Sequence, residues 1–221
     1  MKVCIIGSGL VSLTLANVLI QKEIRVDVLF NRKNKKYDKT RTLGVSKSNI
    51  DYFNQEIIDI KKILWDIKNI KIYTEKTSNE EILNFNNKGK NIFSIIKNHK
   101  LYEILLNNLK KNKNAKFRNN IDYKKIVKEK YKLIINCDPL HEITNKFFSK
   151  RLEKNYNSYA YTTIINHKKK INNIAFQNFT NKGPIAFLPI SSTSTSVIYS
   201  MRSNYRENKL NIKKLIEKFN P

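Results

Sequence analysis

Apolar and polar positions alternate along this chain in blocks of changing period. Val3–Ile6 is a short, wholly apolar run, the pattern of a strand buried on both faces. Between Leu10 and Gln21, Leu13, Ala16 and Ile20 recur at three and four, as do Leu15, Val18 and Leu19, which predicts a helix. Arg25–Phe30 reads as a second strand. "NRKNKKYDKTRTLG" is charged and aperiodic, and reads as a loop. From Ser46 to Ile67, Ile50, Phe53, Ile57, Ile60, Ile63, Leu64 and Ile67 keep the helical spacing and predict one amphipathic helix.

Short strands are expected at Lys71–Tyr73, Ile82–Phe85 and Phe93–Ile96, then a helix over Lys100–Lys111 with Leu101, Ile104, Leu105, Leu106 and Leu109 inward. Leu133–Ile135 is another buried strand, running to Cys137-Asp138. Thereafter "YAYTTIINHK", "NIAFQNFT", "PIAFLPI" and "TSVIYSM" are rich in Tyr, Phe, Ile and Thr and suggest an antiparallel sheet of about four strands. Leu210–Phe219 closes the pattern as an amphipathic helix.

The first strand, turn, helix and second strand frame Gly7-Ser8-Gly9-Leu10-Val11-Ser12. This is the dinucleotide-binding pattern with serine at the third glycine. Gly7 permits the tight turn, Gly9 lets backbone approach a pyrophosphate at the helix N-terminus, and position 12 needs a small residue. The acid expected to end the second strand is absent: Phe30 stands there, with Asp27 three residues earlier.

Composition narrows the function classes. The chain has 221 residues, 40% of them hydrophobic, enough for a sizeable core. No run of 18 apolar residues exists, and the first apolar run is too short for a signal peptide, so a cytoplasmic protein is expected. Cys4 and Cys137 end apolar runs and read as buried small hydrophobes; no CxxC or Cys/His cluster suggests a metal. The net charge of +25 comes from 36 Lys against 7 Arg, spread along the chain beside many Asn and Ile. Base readout favours Arg and placed aromatics, so no specific nucleic-acid partner is expected. The charge could still favour anionic membrane surfaces.

Four passages, in order, resemble the flavin-dependent aromatic-ring hydroxylases of ubiquinone biosynthesis, relatives of para-hydroxybenzoate hydroxylase. They are the glycine turn, "TRTLGVSKSNIDYF", "FSIIKNHKLYEILLNNL" and "KGPIAFLPISSTSTSVIYS". The resemblance spans nearly the whole chain, which matches the first half or a little more of the family's length. It implies an α/β protein with a Rossmann-like FAD-binding domain over 1–45 and 97–150. A second, mainly antiparallel β-sheet substrate domain would come from 46–96 and 151–221.

The implied activity is hydroxylation of the ring of a polyprenylated phenol, with FAD as cofactor and NAD(P)H as reductant. Implied cofactor contacts are Gly7, Gly9, Ser12, Arg41, Asn98 and Asp138; no catalytic residue is named. Asp138-Pro139 replaces the family's Asp-Gly, and its later Gly-Asp motif has no counterpart here. Peripheral contact with the inner face of the membrane and a complex with other ubiquinone-biosynthesis proteins are further implications. The opposing reading is an inactive or accessory homologue that keeps the fold and binds a partner or quinone-like lipid without turnover.

Overall fold

A computed structural model describes residues 1–30, 38–77, 80–119, 123–147, 152–202 and 212–220. Its elements run β1 (Lys2–Ile6), α1 (Leu10–Gln21), β2 (Arg25–Phe30), β3 (Thr42–Ser46), α2 (Lys47–Glu56), β4 (Leu64–Ile67), β5 (Asn69–Thr74) and β6 (Glu81–Asn86). Then follow β7 (Phe93–Lys97), α3 (Asn98–Lys111), β8 (Ala115–Asn119), α4 (Tyr123–Lys128), β9 (Leu133–Asn136) and α5 (Glu142–Phe147). The last are β10 (Ser158–Asn166), β11 (Ile174–Thr180), β12 (Gly183–Ser191), β13 (Ser194–Arg202) and α6 (Ile212–Phe219). The fold is α/β and divides into two units, each described by itself. Met1–Tyr37, Asp51–Lys62 and His99–Glu153 form the first; Asp38–Ile50, Ile63–Asn98 and Lys154–Pro221 form the second.

The first unit is built on an all-parallel sheet in the order β8-β2-β1-β9. Its central strands are continuous apolar runs because both faces are covered; Val3, Cys4, Ile5, Val26 and Val28 are inaccessible to solvent. Helix α1 buries Leu13, Ala16 and Ile20. Its one buried amide, Asn17, donates to Leu13 O (2.7 Å) and Leu105 O (3.1 Å) and accepts from Asn108, which ties α1 to α3.

The second unit holds a six-stranded sheet in the order β10-β13-β12-β11-β5-β6 and a three-stranded antiparallel sheet β3-β7-β4. One face of the large sheet packs Ile185, Phe187, Val197 and Tyr199 under Phe219 of α6. The other face sets Ala175 and Ile190 against Ile67 and Ile95 of the small sheet. Four of the six strands are the antiparallel ones expected from the last third of the chain. The other two, β5 and β6, join the edge, and β5 pairs parallel with β11.

Two segment readings are corrected. The single helix expected over Ser46–Ile67 stops at Glu56. Ile57 N and Ile58 N both donate to Phe53 O, Asn54 Oδ1 accepts from Ile60 N (3.0 Å), and Asp59 Oδ1 accepts from Lys61 N (2.9 Å). Those side chains give the backbone a turn instead of another helical repeat. Ile57 and Ile60 are still buried, so the helical spacing was satisfied without a helix. Leu64–Ile67 is strand β4, paired with β7. The loop reading over residues 31–44 fails at its end, where Thr42–Gly44 opens β3; residues 31–37 lie outside the described residues. So do 210 and 211, where the last helix was expected to begin.

Candidate functional site

The turn after β1 is fixed by contacts inside the first unit. Gly7 N donates to Leu29 O (3.2 Å) and Cys137 N to Ile6 O (2.8 Å), so the β1 and β9 turns lie side by side. Gly7 has φ +116°, and a Cβ there would sit 2.9 Å from Ser12 Oγ and 3.3 Å from the Cys137 carbonyl carbon. Only glycine meets both conditions. Ser12 is buried beneath this turn, and its Oγ makes no hydrogen bond.

Gly9 is different. It has ordinary extended angles (φ −80°, ψ 178°), and a Cβ there would meet nothing within 4 Å. It stands at the start of α1, whose first turn carries no acidic residue and no side-chain cap. Among the described residues, therefore, the space beside Gly9 is unfilled at the end of the helix where N–H groups lack intrahelical partners and the dipole is positive, an arrangement that accepts a phosphate. The sheet order adds a second reason. β1 connects to β2 on one side and neighbours β9 on the other, so the crevice at their carboxyl ends is a topological switch point, where open α/β sheets bind ligands.

Asp138 lies on the β9 side of that crevice. Its Oδ1 accepts from Leu140 N (3.0 Å), its carbonyl accepts from His141 N (3.1 Å) and Thr144 Oγ1 (3.2 Å), and its own N–H goes to Asn136 Oδ1 (3.1 Å). None of these bonds uses an N–H at position 139, so Pro139 is compatible with the turn. It removes one donor that a ligand could have used.

Among the described residues no free acid stands at the end of β2, where a dinucleotide site usually carries one. Phe30 packs edge-on against Phe117, ring centroids 5.2 Å apart. Asp27 is buried (side chain 4% exposed) and tied to Lys2 Nζ at 2.9 Å, Tyr131 OH at 2.6 Å and Arg118 at 3.6 Å. Arg118 also holds Glu129 Oε1 at 2.6 Å. That bond keeps the Glu129 carboxyl below the usual glutamate value, while burial, and then the bond to Asp27, pushes the Tyr131 hydroxyl up. Burial, followed by the nearby Asp27 and Glu129 charges, raises the Cys4 thiol to about 12. Sequence reasoning missed this network. Its one visible signal was Arg118, a rare arginine in a chain that otherwise uses lysine.

Arg41 and Asn98 belong to the second unit. Asn98 N donates to Arg41 O (3.0 Å), one step beyond the Thr42–Lys97 pair that ends the β3–β7 ladder. The Arg41 residue is exposed, and Asn98 Oδ1 is buried without a hydrogen bond. Around this end, Thr40 Oγ1 bonds Thr162 Oγ1 (2.7 Å) and Thr42 Oγ1 bonds Ser196 Oγ (3.4 Å). The structure thus groups the six sequence candidates in two sets: Gly7, Gly9, Ser12 and Asp138 on one unit, Arg41 and Asn98 on the other. A hollow of about 210 Å³ in the second unit, lined by Tyr73, Phe176, Phe187 and Phe219, includes none of them. Among the described residues no cluster of His, Cys, Asp or Glu could hold a metal ion, and no helix is long and apolar enough to cross a membrane.

On this geometry, the turn fits the pyrophosphate of a dinucleotide such as FAD, while among the described residues no carboxylate stands at the end of β2 for the ribose. No family model and no curated protein matches the chain. Solved structures do. p-Nitrophenol 4-monooxygenase PnpA from Pseudomonas putida DLL-E4 superposes with a TM-score of 0.72 at 14% identity, covering 98% of this chain and 61% of that one. Pseudomonas aeruginosa PqsL in complex with 2-aminobenzoylacetate gives 0.72 at 12%, covering 98% and 63%. CtdE in complex with FAD and its substrate gives 0.69 at 12%, covering 99% and 62%. The chain spans about three fifths of the length of these solved chains, and what it shares with them, along nearly all of its own length, is the fold found in FAD-dependent monooxygenases.

Proposed function

We propose that this chain is the nucleotide-binding and sheet portion of a flavin-dependent monooxygenase that hydroxylates the aromatic ring of a polyprenylated ubiquinone precursor. The observation that carries the reading is the open, uncapped start of α1 behind Gly9, set at the switch point of a parallel sheet. In this reading Gly7 shapes the turn, and Gly9 with the first N–H groups of α1 holds the FAD pyrophosphate. Ser12 fills the space under the turn, and Asp138 borders the crevice. For Arg41 and Asn98, on the second unit, a cofactor role rests on the sequence resemblance alone.

The chemistry supplied by bound FAD is activation of O2 with electrons from NAD(P)H, one oxygen atom entering the ring and the other leaving as water. The chain's own part is to bind, orient and exclude water. The substrate class and the surrounding assembly with other ubiquinone-biosynthesis proteins rest on the sequence resemblance. A lipid-borne ring would be met by a cytoplasmic protein at the bilayer surface.

A second reading is favoured by one observation. Asp27 is consumed by Lys2, Arg118 and Tyr131, and Phe30 stands at the strand end, so among the described residues nothing acidic remains there for the adenosine ribose. This suits an accessory homologue that binds without turnover. Incubation with FAD, NAD(P)H and a short-chain polyprenyl phenol separates the two. A product heavier by one oxygen, formed only with FAD, supports the enzyme. Polyprenyl phenol that is retained by the protein but left unchanged, in the presence of FAD, NAD(P)H and O2, supports the accessory protein.

A further inference from the structure

Part of the positive charge that is spread along this chain gathers on one edge of the first unit. In a parallel sheet every strand begins on the same side, and here the segments leading into β8 and β9 are lysine-rich, with Lys2 opening β1 and Lys22 preceding β2. The backbone binds them into a row: Lys132 N donates to Lys2 O (3.0 Å), Arg25 N to Met1 O (3.3 Å) and Val26 N to Asn114 O (2.8 Å). Neighbouring strands lie about 4.8 Å apart, so the row is about 15 Å wide, within two Debye lengths at physiological salt.

Arg25, Lys111, Lys113, Lys128, Lys130 and Lys132 are exposed there, and none is in an ion pair among the described residues. The acids in the same segments are Glu23 and Glu129, and Glu129 is held by Arg118. Between the cations stand apolar side chains turned to solvent: Met1 (63% exposed), Val127 (52%) and Leu133 (51%). The glycine turn lies at the opposite end of the same strands.

We infer that this amino-terminal edge of the β8-β2-β1-β9 sheet is a docking surface for an anionic phospholipid bilayer. Lysines beside exposed aliphatic side chains match a headgroup layer over acyl chains. A nucleic acid would call instead for arginines and stacking aromatics, and this edge has one arginine. Docking by this edge leaves the carboxyl edge of the sheet facing water, from which a nucleotide arrives. The inference deepens the membrane-surface element of the proposed function. Its test uses neither flavin nor turnover, so either can fail alone.

The test is co-sedimentation of the full chain with phosphatidylcholine vesicles, with and without phosphatidylglycerol, at low and high salt. One variant carries Lys111→Glu, Lys113→Glu, Lys128→Glu and Lys130→Glu. A control carries Lys90→Glu, Lys168→Glu, Lys169→Glu and Lys170→Glu, all exposed and in the second unit. Each lysine near an anionic surface is worth roughly fivefold in partitioning, so the edge variant should bind about 100-fold or more weakly, and the control within about fivefold of the parent. Binding to neutral vesicles should be negligible throughout. If the reversals prevent folding, as circular dichroism would show, the four Lys→Gln substitutions should still cost on the order of 100-fold. Equal loss in edge and control variants would overturn the inference, because the charge would then act diffusely. So would an edge variant that keeps vesicle binding but loses binding to a labelled duplex or single-stranded oligonucleotide.

Discussion

Gly9 in the first unit and Gly183 in the second sit in the two motifs that frame this chain, and sterically they are opposites. A Cβ on Gly183 would lie 2.0 Å from Ser200 O, and the residue has φ +142°. A Cβ on Gly9 would meet nothing within 4 Å, and its angles suit any residue. The passage around Gly183, "KGPIAFLPI", is the more distinctive in sequence, yet its glycine is fully explained by how β12 packs on β13. The turn around Gly9 is the weaker motif, and its glycine has no packing reason. A glycine that the fold requires says little about ligands; one that the fold does not require leaves room for a visitor.

The sharpest way to break this contrast is at Gly183. Gly183→Ala must either move backbone or lose the β12–β13 pairing, so we expect a loss on the order of 5 kcal/mol, seen as collapse of the denaturation midpoint or of soluble yield. A variant melting within a few degrees of the parent would show that the hairpin relaxes easily. Gly7→Ala should fall in between, at about 1–3 kcal/mol, because its φ is strained for alanine but the nearest atom is the movable Ser12 hydroxyl.

The network around Asp27 gives the first unit its own signature. Tyr131→Phe removes the hydroxyl that donates to the buried Asp27 carboxylate, and should cost about 2 kcal/mol in denaturant. Its neighbour Glu129 has a lowered folded pKa, so its contribution is fully present above the ordinary glutamate value of 4.5 and is lost as pH falls through the lowered one. Stability measured from neutral to acid pH should therefore drop less steeply in Glu129→Gln, once corrected for the variant's lower starting value. Identical acid slopes would remove Glu129 from the account. The smallest expected effect is Gly9→Ala: about 1 kcal/mol or less, the ordinary difference between glycine and alanine at a helix N-cap.

Legibility followed burial and period. The β1-α1-β2 unit was readable almost to the residue, because its strands are solid apolar runs and its helix has one buried face. The four strands β10 to β13 were readable from alternating aromatic and β-branched residues. Ile57 and Ile60 misled because a turn held by Asn54 and Asp59 buries them at the spacing a helix would use. Strand β8 was missed since "AKFRN" has only two apolar positions and pairs along one side alone. The candidate positions 7, 9 and 12 were visible as a motif. That Ser12 carries an unpartnered hydroxyl under Gly7, and that Asp27 is locked in an ionic network with Lys2, Arg118 and Tyr131, shows only in three dimensions.

If the turn at Gly9 is open for a pyrophosphate, flavin affinity depends on that position and stability does not. The direct measurement is a titration with FAD of the parent chain and of Gly9→Val, followed by flavin fluorescence, with thermal melts run in parallel. The parent should bind FAD saturably but weakly, since the missing polar contacts cost roughly 1–3 kcal/mol each. The variant should bind at least tenfold more weakly, with melting temperatures alike within a few degrees. Equal affinity in the two proteins, or a valine variant that loses its fold along with its flavin, would contradict an open turn at Gly9.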